Sequence, residues 1–180
     1  MEALDCIYGR RSIRNFTDEP VDHETLDKIV EAASYAPSWK HTQIVRYIAV
    51  EDAALRSRIA NDCTSTFVYN GDTMKKAPML IAVTALKGRS GYERDGSFTT
   101  GRKDTWMMFD AGCAVQTFCL AAHAYGLSTV IMGIFDDDKI TELLEIPEDR
   151  ELINMICIGH ADEAPAAPKR KAVTDLLQYK

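Results

Sequence analysis

The stretch from Trp106 to Tyr125 limits the folds open to this chain more than any other part of its sequence. Its length and the following Gly126 predict a helix, and apolar residues occupy nearly every side of that helix. Because one small sheet covers only one side of a helix, the other side needs a second partner. That partner is either the rest of a two-layer core or, as we favour, the same helix of a second subunit in a two-fold dimer.

This helix is not expected to cross a membrane. Asp110, Gln116 and His123 interrupt it, and the apolar pieces between them are far shorter than the roughly 20 residues of a spanning helix. The formal net charge of −6 and the pI near 5.2 argue against general binding to nucleic acids or anionic membranes. Residues 1–12 lack the basic and apolar pattern of a targeting segment, so we expect a cytoplasmic protein.

Helices and strands alternate along the rest of the chain. Predicted helices span residues 1–8, 22–36, 53–70, 106–125 and 137–146, the third being clear only in its first part, and predicted strands span 44–51, 77–86, 128–135 and 152–161. The near-continuous apolarity of 77–86 predicts a strand buried on both faces. This alternation indicates an α/β or α+β fold with helices against a sheet. No internal repeat divides the chain, so we predict a single domain over residues 1–180.

The chain carries no metal-ligand set and no nucleophile motif. Its five cysteines are odd in number and lack CxxC or Cys/His ligand spacing, which predicts reduced core residues. They are Cys6, Cys63, Cys113, Cys119 and Cys157. The histidines are scattered, and HExxH and GxSxG motifs are absent. A chain without a reactive side-chain set suggests that a bound cofactor carries the chemistry.

Three arginines lie within residues 10–14, and their mutual repulsion costs free energy unless an anion or acidic partners offset it. Arginine suits bidentate recognition of phosphate, and Ser12 adds a hydroxyl and a backbone N–H. Residues 169–171 form a second basic cluster that could converge on the same phosphate. The other interpretation is a solvated basic turn, or salt bridges to Asp18 and Glu19.

Two further segments suggest contacts with a ligand. Residues 36–43 follow a helix and are dense in hydrogen-bonding side chains, which is typical either of an ordinary turn or of a binding segment. Gly133 lies within an apolar strand pattern, where it indicates either close packing or the approach of backbone to a ligand.

Five pieces of the chain, in order and with the right spacing, resemble the nitroreductase family of FMN-dependent NAD(P)H oxidoreductases. They are RRSIRNF at 10–16, EAASYAPSWKHTQ at 31–43, the pair 77–78 before a buried strand, the long segment 110–136, and IGHADEAPAAPKRK at 158–171. The resemblance implies an α+β fold with a central mixed sheet flanked by helices. It also implies an intertwined homodimer with FMN bound at the subunit interface.

The resemblance assigns roles to the basic positions. Residues that hold the FMN phosphate and ribityl chain are matched by Arg10, Arg11 and Ser12, and residues that close on the phosphate are matched by Lys169, Arg170 and Lys171. Arg14 matches the basic residue beside flavin N1 and O2, where a fixed cation stabilises the reduced flavin.

Other positions match contacts with the flavin ring. The segment that the partner subunit lays against the flavin is matched by Pro37, Ser38, Trp39, His41 and Gln43. The strand that hydrogen-bonds near N5 and O4 is matched by Ile131, Met132, Gly133 and Ile134, and Asn70 matches a further ring contact. The chain departs from the family at His41, where Asn is usual, and at Ile44 and Val45, where Pro and Trp are usual.

The activity implied by the resemblance is a ping-pong cycle in which NADH or NADPH reduces FMN and a nitroaromatic, a quinone or a similar acceptor reoxidises it. The loop 87–103, with Tyr92, Phe98 and the following Trp106, either covers the flavin and selects substrates or is a disordered surface loop. Reductive dehalogenation, flavin fragmentation and non-catalytic binding of FMN or another anion are the alternatives. A nucleic-acid arm at 10–14 is disfavoured, because no second basic stripe with interleaved aromatics accompanies it.

Overall fold

A computed structural model describes residues 2–64 and 66–180 of the chain. In these residues the helices are α1 (Ala3–Gly9), α2 (His23–Ser34), α3 (Ala53–Asp62), α4 (Val68–Lys76), α5 (Thr105–Ala124), α6 (Asp137–Leu143) and α7 (Val173–Leu176). The strands are β1 (Val45–Val50), β2 (Met79–Leu86), β3 (Ser128–Met132) and β4 (Arg150–Gly159), and a single 3₁₀ turn spans Trp39–His41. The predicted first helix begins at Met1, which lies outside the described residues.

The four strands form one sheet in the order β1-β2-β4-β3, and each neighbouring pair is antiparallel. Within the described residues, the one parallel pairing is the isolated bridge between Ser12 and Thr129. The mixed character that the resemblance implied is therefore confined to that bridge in a single chain. The α+β fold with a sheet flanked by helices is confirmed.

Two hydrophobic cores lie on opposite faces of the sheet, and β2 contributes to both. Leu80 and Ala82 face the core that includes α3, α4 and α6, whereas Ile81 and Val83 face the core that includes α2 and α5. This alternation follows from the two-residue repeat of a strand. The prediction that 77–86 is a strand buried on both faces is confirmed.

Local signals explain most helix boundaries. The Asp22 side chain accepts a hydrogen bond from the backbone N–H of Thr25 and so caps α2, and Asp136 caps α6 through the N–H of Lys139. The predicted helix 53–70 is clear in the sequence only in its first part, and α3 confirms that part. Helix α3 ends at Asp62 and α4 begins at Val68, and Ser65 between them lies outside the described residues. The predicted strand 128–135 is too long, since β3 ends at Met132.

The cysteines are free in the described structure, and all but the half-buried Cys113 are buried, which confirms them as core residues. Helix α5 buries Ala111, Phe118 and Ala122 completely, but Phe109 on another side of it is 60% exposed. An uncovered apolar side therefore remains on α5, as the sequence predicted. No helix among the described residues is long and apolar enough to span a membrane.

Candidate cofactor site

The basic segment 10–16 runs beside strand β3. The backbone N–H of Ile13 donates to the carbonyl oxygen of Thr129 at 3.0 Å, and Ser12 forms a bridge with the same residue. Ile13 and Phe16 are buried in the core, whereas the Arg14 side chain is exposed. The apolar side chains thus fix the backbone of this segment while the guanidinium of Arg14 is directed to solvent.

No carboxylate forms a salt bridge with the three arginines of this segment in the described part of the chain. The Arg11 guanidinium donates to the carbonyl oxygens of Tyr8 and Arg10, at 2.6 and 2.9 Å. Glu19 lies 3.5 Å from His160 instead of pairing with an arginine. The alternative prediction of salt bridges to Asp18 and Glu19 is therefore wrong, and the guanidiniums are open to water or to another anion.

His123 of α5 lies next to the basic segment, and its imidazole is neutral at neutral pH. An added Cβ on Gly9 would lie 3.0 Å from His123 Nε2, so the imidazole packs directly against the end of α1. Partial burial lowers the pKa of His123, and the positive charges of Arg10 and Arg11 lower it further. The basic segment thus keeps its charge without a nearby imidazolium adding repulsion.

Glu163 joins the C-terminal segment to the basic segment. Its carboxylate accepts from the backbone N–H groups of Arg14 and Asn15, at 2.5 and 3.2 Å, and from Asn15 Nδ2 at 2.7 Å. These bonds, the one from Arg14 first, lower the pKa of Glu163. The sequence-predicted cluster at 169–171 begins six positions later and is exposed. Among the described residues it makes no side-chain hydrogen bond and no ion pair.

The backbone that follows β3 is open on one side. Asn70 Nδ2 donates to the carbonyl oxygen of Ile134 at 2.9 Å, which brings two sequence-predicted elements together. Ile131 and Ile134 are 45% and 51% exposed, whereas Met132 is buried. A Cβ added to Gly133 would meet nothing within 4 Å. Packing within the chain does not require this glycine, and the space beside it is open to a ligand or to another subunit.

The turn 37–43 has an unusual backbone. Lys40, His41 and Gln43 adopt positive φ values of 45°, 59° and 46°. Each such non-glycine residue costs roughly 1 kcal/mol or more, so the surroundings must stabilise the turn. The hydroxyl of Ser38 accepts from the N–H of Gln43 at 3.0 Å, and Arg46 donates to the carbonyl oxygen of Gln43 at 2.7 Å.

Asp110, which the sequence marked only as an interruption of an apolar run, is the buried anchor of this turn. Its Oδ2 accepts from the backbone N–H of Trp39 at 2.9 Å and from Ser90 Oγ at 2.6 Å. Lys40 in turn pairs with Glu93 at 2.8 Å. The predicted loop 87–103 runs in the structure over residues 87–104, between the end of β2 and the start of α5. This loop 87–104 is folded against the turn 37–43, which contradicts the interpretation as a disordered loop.

Two cavities adjoin the turn 37–43. One of about 460 Å³ lies between α2, β1 and α5, and burial raises the pKa of the Tyr47 phenol in its wall, so the phenol stays protonated. The other, of about 810 Å³, lies between the turn and the loop 87–104. The charged and aromatic side chains lining this second cavity are Lys40, Arg89, Tyr92, Glu93, Arg94 and Asp95. It is large enough for an organic substrate.

The sequence-predicted residues fall into two groups at different ends of α5. Group one comprises the basic segment 10–14, which adjoins His123 through Gly9 and pairs with β3. It also includes the stretch 131–134 at the end of β3, with Asn70 bonded to it, whereas the cluster 169–171 makes no side-chain hydrogen bond or ion pair with either group among the described residues. Group two comprises the turn 37–43, which is bonded to Asp110. Thirteen positions separate Asp110 from His123, which corresponds to about 20 Å along a helix. One chain therefore does not bring the two groups together at this helix.

An α+β fold in which a basic segment runs along a strand, with no salt bridge to its guanidiniums among the described residues, defines a class of protein suited to a phosphorylated ligand. The family model described as "Nitroreductase family" matches residues 7–71 and 66–160. The chain belongs to the nitroreductase family.

Known relatives agree with this assignment. A Bacillus subtilis (strain 168) protein named FMN reductase (NAD(P)H) is 31% identical, over 93% of this chain and 70% of its own length. A Rhodospirillum rubrum protein named 5,6-dimethylbenzimidazole synthase is 25% identical, over 93% of this chain and 86% of its own. The structure of an FMN-dependent nitroreductase from Clostridium difficile R20291 is 29% identical, with a TM-score of 0.74 over 92% of this chain and 91% of that one.

Proposed function

We propose that this protein is an FMN-dependent oxidoreductase that takes electrons from NADH or NADPH and passes them to an electron-poor acceptor such as a nitroaromatic or a quinone. The observation that carries the proposal is the basic segment 10–14, whose guanidiniums form no salt bridge with a carboxylate of the described residues and which pairs with Thr129 of β3, the strand that leads to the open backbone at Gly133. The names of the relatives support the cofactor and the electron donor. A cytoplasmic location and a single domain over residues 1–180 stay predictions.

The residues present fit the phosphate of FMN. In this proposal the guanidiniums of Arg10 and Arg11 and the hydroxyl of Ser12 hold the phosphate and the ribityl chain. Lys169, Arg170 and Lys171 approach the phosphate from the C-terminal segment, whose start is fixed beside Arg14 by Glu163. Charge-assisted bonds of this kind bind a dianionic group without a glycine-rich loop.

The ring of FMN fits the open strand end. The backbone of 131–134 supplies hydrogen-bonding groups, and the bond from Asn70 to Ile134 keeps that stretch in place. Arg14 places positive charge beside N1 and O2, which favours the reduced form of the ring. When bound, FMN supplies hydride acceptance and release. The chain positions donor and acceptor in turn in the same space, which makes the kinetic order ping-pong.

The two groups of residues are expected to meet across a homodimer. Because they lie about 20 Å apart along α5, the turn 37–43 of one subunit would contact the flavin held by the basic segment of the other. In that arrangement Pro37, Ser38, Trp39, His41 and Gln43 act on the partner's cofactor. The uncovered side of α5, with the exposed Phe109, is the surface expected to pack against its copy.

Absorbance and anaerobic titration test this proposal. Purified protein should be yellow, with one FMN per chain and two per dimer, and NADH or NADPH should bleach the flavin bands without oxygen. Addition of a quinone should then restore them. Protein that stays colourless with saturating FMN contradicts the proposal, and yellow protein that neither nucleotide bleaches indicates a binding protein instead.

A second candidate function is fragmentation of the flavin itself, favoured by the likeness to the 5,6-dimethylbenzimidazole synthase of Rhodospirillum rubrum. Incubation of the protein with excess reduced FMN and oxygen, followed by chromatography, separates the two. Recovery of intact FMN supports the reductase, whereas the appearance of a benzimidazole supports the second candidate.

A further inference from the structure

The chain contains two tryptophans, Trp39 in the turn 37–43 and Trp106 at the start of α5. Their ring centroids are 4.7 Å apart, with an angle of 44° between the ring planes. Asp110 lies one helical turn after Trp106 and is 3% exposed. The carboxyl group of Asp110 forms no salt bridge in the part of the chain that the structure describes. Its polar contacts there are with the backbone N–H of Trp39 and the hydroxyl of Ser90.

We propose that Asp110 is a positioning residue that fixes the Trp39–Trp106 pair and the loop 87–104 as one wall, and that this wall selects flat aromatic acceptors. The first half concerns the structure alone. The second half rests on the proposed function, since it assumes that an acceptor binds beside the turn 37–43.

The turn 37–43 needs such an anchor because of its left-handed backbone. Among its contacts, the pair of Lys40 with Glu93 is half exposed and therefore contributes little. The bond from the backbone N–H of Trp39 to Asp110 Oδ2 is buried and shielded from water, so it is the stronger restraint. It is made at the residue that directly precedes the first positive φ value, at Lys40.

The loop 87–104 is fixed to the same carboxylate. Ser90 is 1% exposed, and its hydroxyl donates to Asp110 Oδ2. The same oxygen accepts from the backbone N–H of Trp39. Trp106 Nε1 donates to Thr100 Oγ1 at 2.9 Å, so the loop folds back over the indole. The result is a packed pair of partly buried indoles under the loop, and Tyr92 of the same loop lines the cavity of about 810 Å³ beside the turn, where its ring can stack on a flat aromatic molecule.

The exciton couplet that two adjacent indoles produce in circular dichroism tests the first half, with or without bound flavin. Asp110→Ala should abolish the couplet, as should Trp106→Phe, the positive control. Asp110→Asn should retain it, because the amide oxygen can accept both bonds. A full couplet in Asp110→Ala, or loss of the couplet in Asp110→Asn, would overturn the proposal.

A milder pair of variants applies if Asp110→Ala does not fold. Ser90→Ala removes only the bond from the loop, and Ser97→Ala is its matched control, because Ser97 donates at the same 2.6 Å to the exposed Asp95. The couplet should weaken in Ser90→Ala and stay unchanged in Ser97→Ala. Equal spectra in both variants would overturn the role of Asp110 in holding the loop.

Acceptor kinetics test the second half. In Ser90→Ala, kcat/KM for a flat nitroaromatic should fall about tenfold through KM, the loss expected when one buried hydrogen bond is removed, while kcat/KM for ferricyanide stays unchanged. An equal loss for both acceptors would overturn the selectivity. Absence of turnover with either acceptor in the wild type would instead contradict the proposed function, and the circular dichroism result would stand independently.

Discussion

At the scale of single residues, Arg14 and Glu163 illustrate how backbone and side chain take separate roles. The Arg14 N–H is bonded to Glu163, whereas its guanidinium has no ion pair among the described residues. The carboxylate therefore orders the segment without neutralising the side chain next to it. This separation is what an anion-binding segment requires, because a paired guanidinium would have to break one salt bridge before forming another.

Arg14→Ala is expected to weaken FMN binding and to lower the reduction potential of the bound flavin. A lost bond to a charged group costs about 1.5–3 kcal/mol, so the Kd for FMN should rise roughly 10- to 100-fold. Fluorescence titration and a spectroelectrochemical measurement give the two values. Arg58→Ala, an exposed arginine of α3, is the control and should change neither. A Kd that rises while the potential stays the same would remove the electrostatic role of Arg14.

Glu163→Gln is expected to change the pH dependence of stability. The pKa of Glu163 is lowered in the folded protein, so its contribution is complete above the ordinary glutamate pKa of about 4.3 and is lost as pH falls through the lowered value. At neutral pH the free energy of unfolding of the wild type should exceed that of the variant by on the order of 1 kcal/mol, a value that allows for solvent exposure. Thermal midpoints from neutral to acidic pH should converge below about pH 4. A constant difference would contradict this role.

At the scale of elements, patterns within one segment were predictable and contacts between segments were not. Asp22 and the apolar spacing of α2, like the continuous apolarity of β2, act locally, and both elements were predicted near their true positions. Helix α4 lacks a side-chain cap at Phe67 and a clear apolar stripe, so it was missed. Asp110 and Glu163 each fix another segment by accepting a hydrogen bond from a backbone N–H that is distant in the sequence. Residue spacing in the sequence does not predict such contacts.

The packing of α4 against α3 leads to an element-scale prediction. A Cβ on Gly71 would overlap Thr64 Oγ1 and the carbonyl oxygen of Ala60, and backbone of this kind cannot move aside cheaply. Gly71→Ala should therefore lower the free energy of unfolding by about 1–3 kcal/mol, as overpacking does. Urea denaturation measures this. Gly101→Ala is the matched control, because a Cβ there meets nothing within 4 Å, and equal stability of the two variants would contradict the tight contact.

At the scale of the whole molecule, the separation of the two residue groups along α5 is the strongest reason to expect a dimer. One group adjoins His123 and the other is bonded to Asp110, so neither can complete a flavin site alone at this helix. If a two-fold axis runs perpendicular to α5, the helix packs antiparallel against its copy. Opposite ends of the two helices then come together. Flavin binding and subunit association should therefore be linked, each strengthening the other.

Gly112, near the middle of the uncovered side of α5, tests this linkage. It is exposed in the single chain, and a Cβ added there meets nothing within 4 Å. In an isolated subunit, Gly112→Ala should thus stabilise the helix by about 1 kcal/mol. Against a closely packed copy of α5, the same methyl group should instead cost about 1–3 kcal/mol, so the dimer Kd should rise roughly 5- to 100-fold and FMN should be lost on dilution. Sedimentation at several protein concentrations, with and without FMN, separates the two outcomes. A variant that is more stable at every concentration and associates as the wild type does would rule out close contact of α5 with its copy at Gly112.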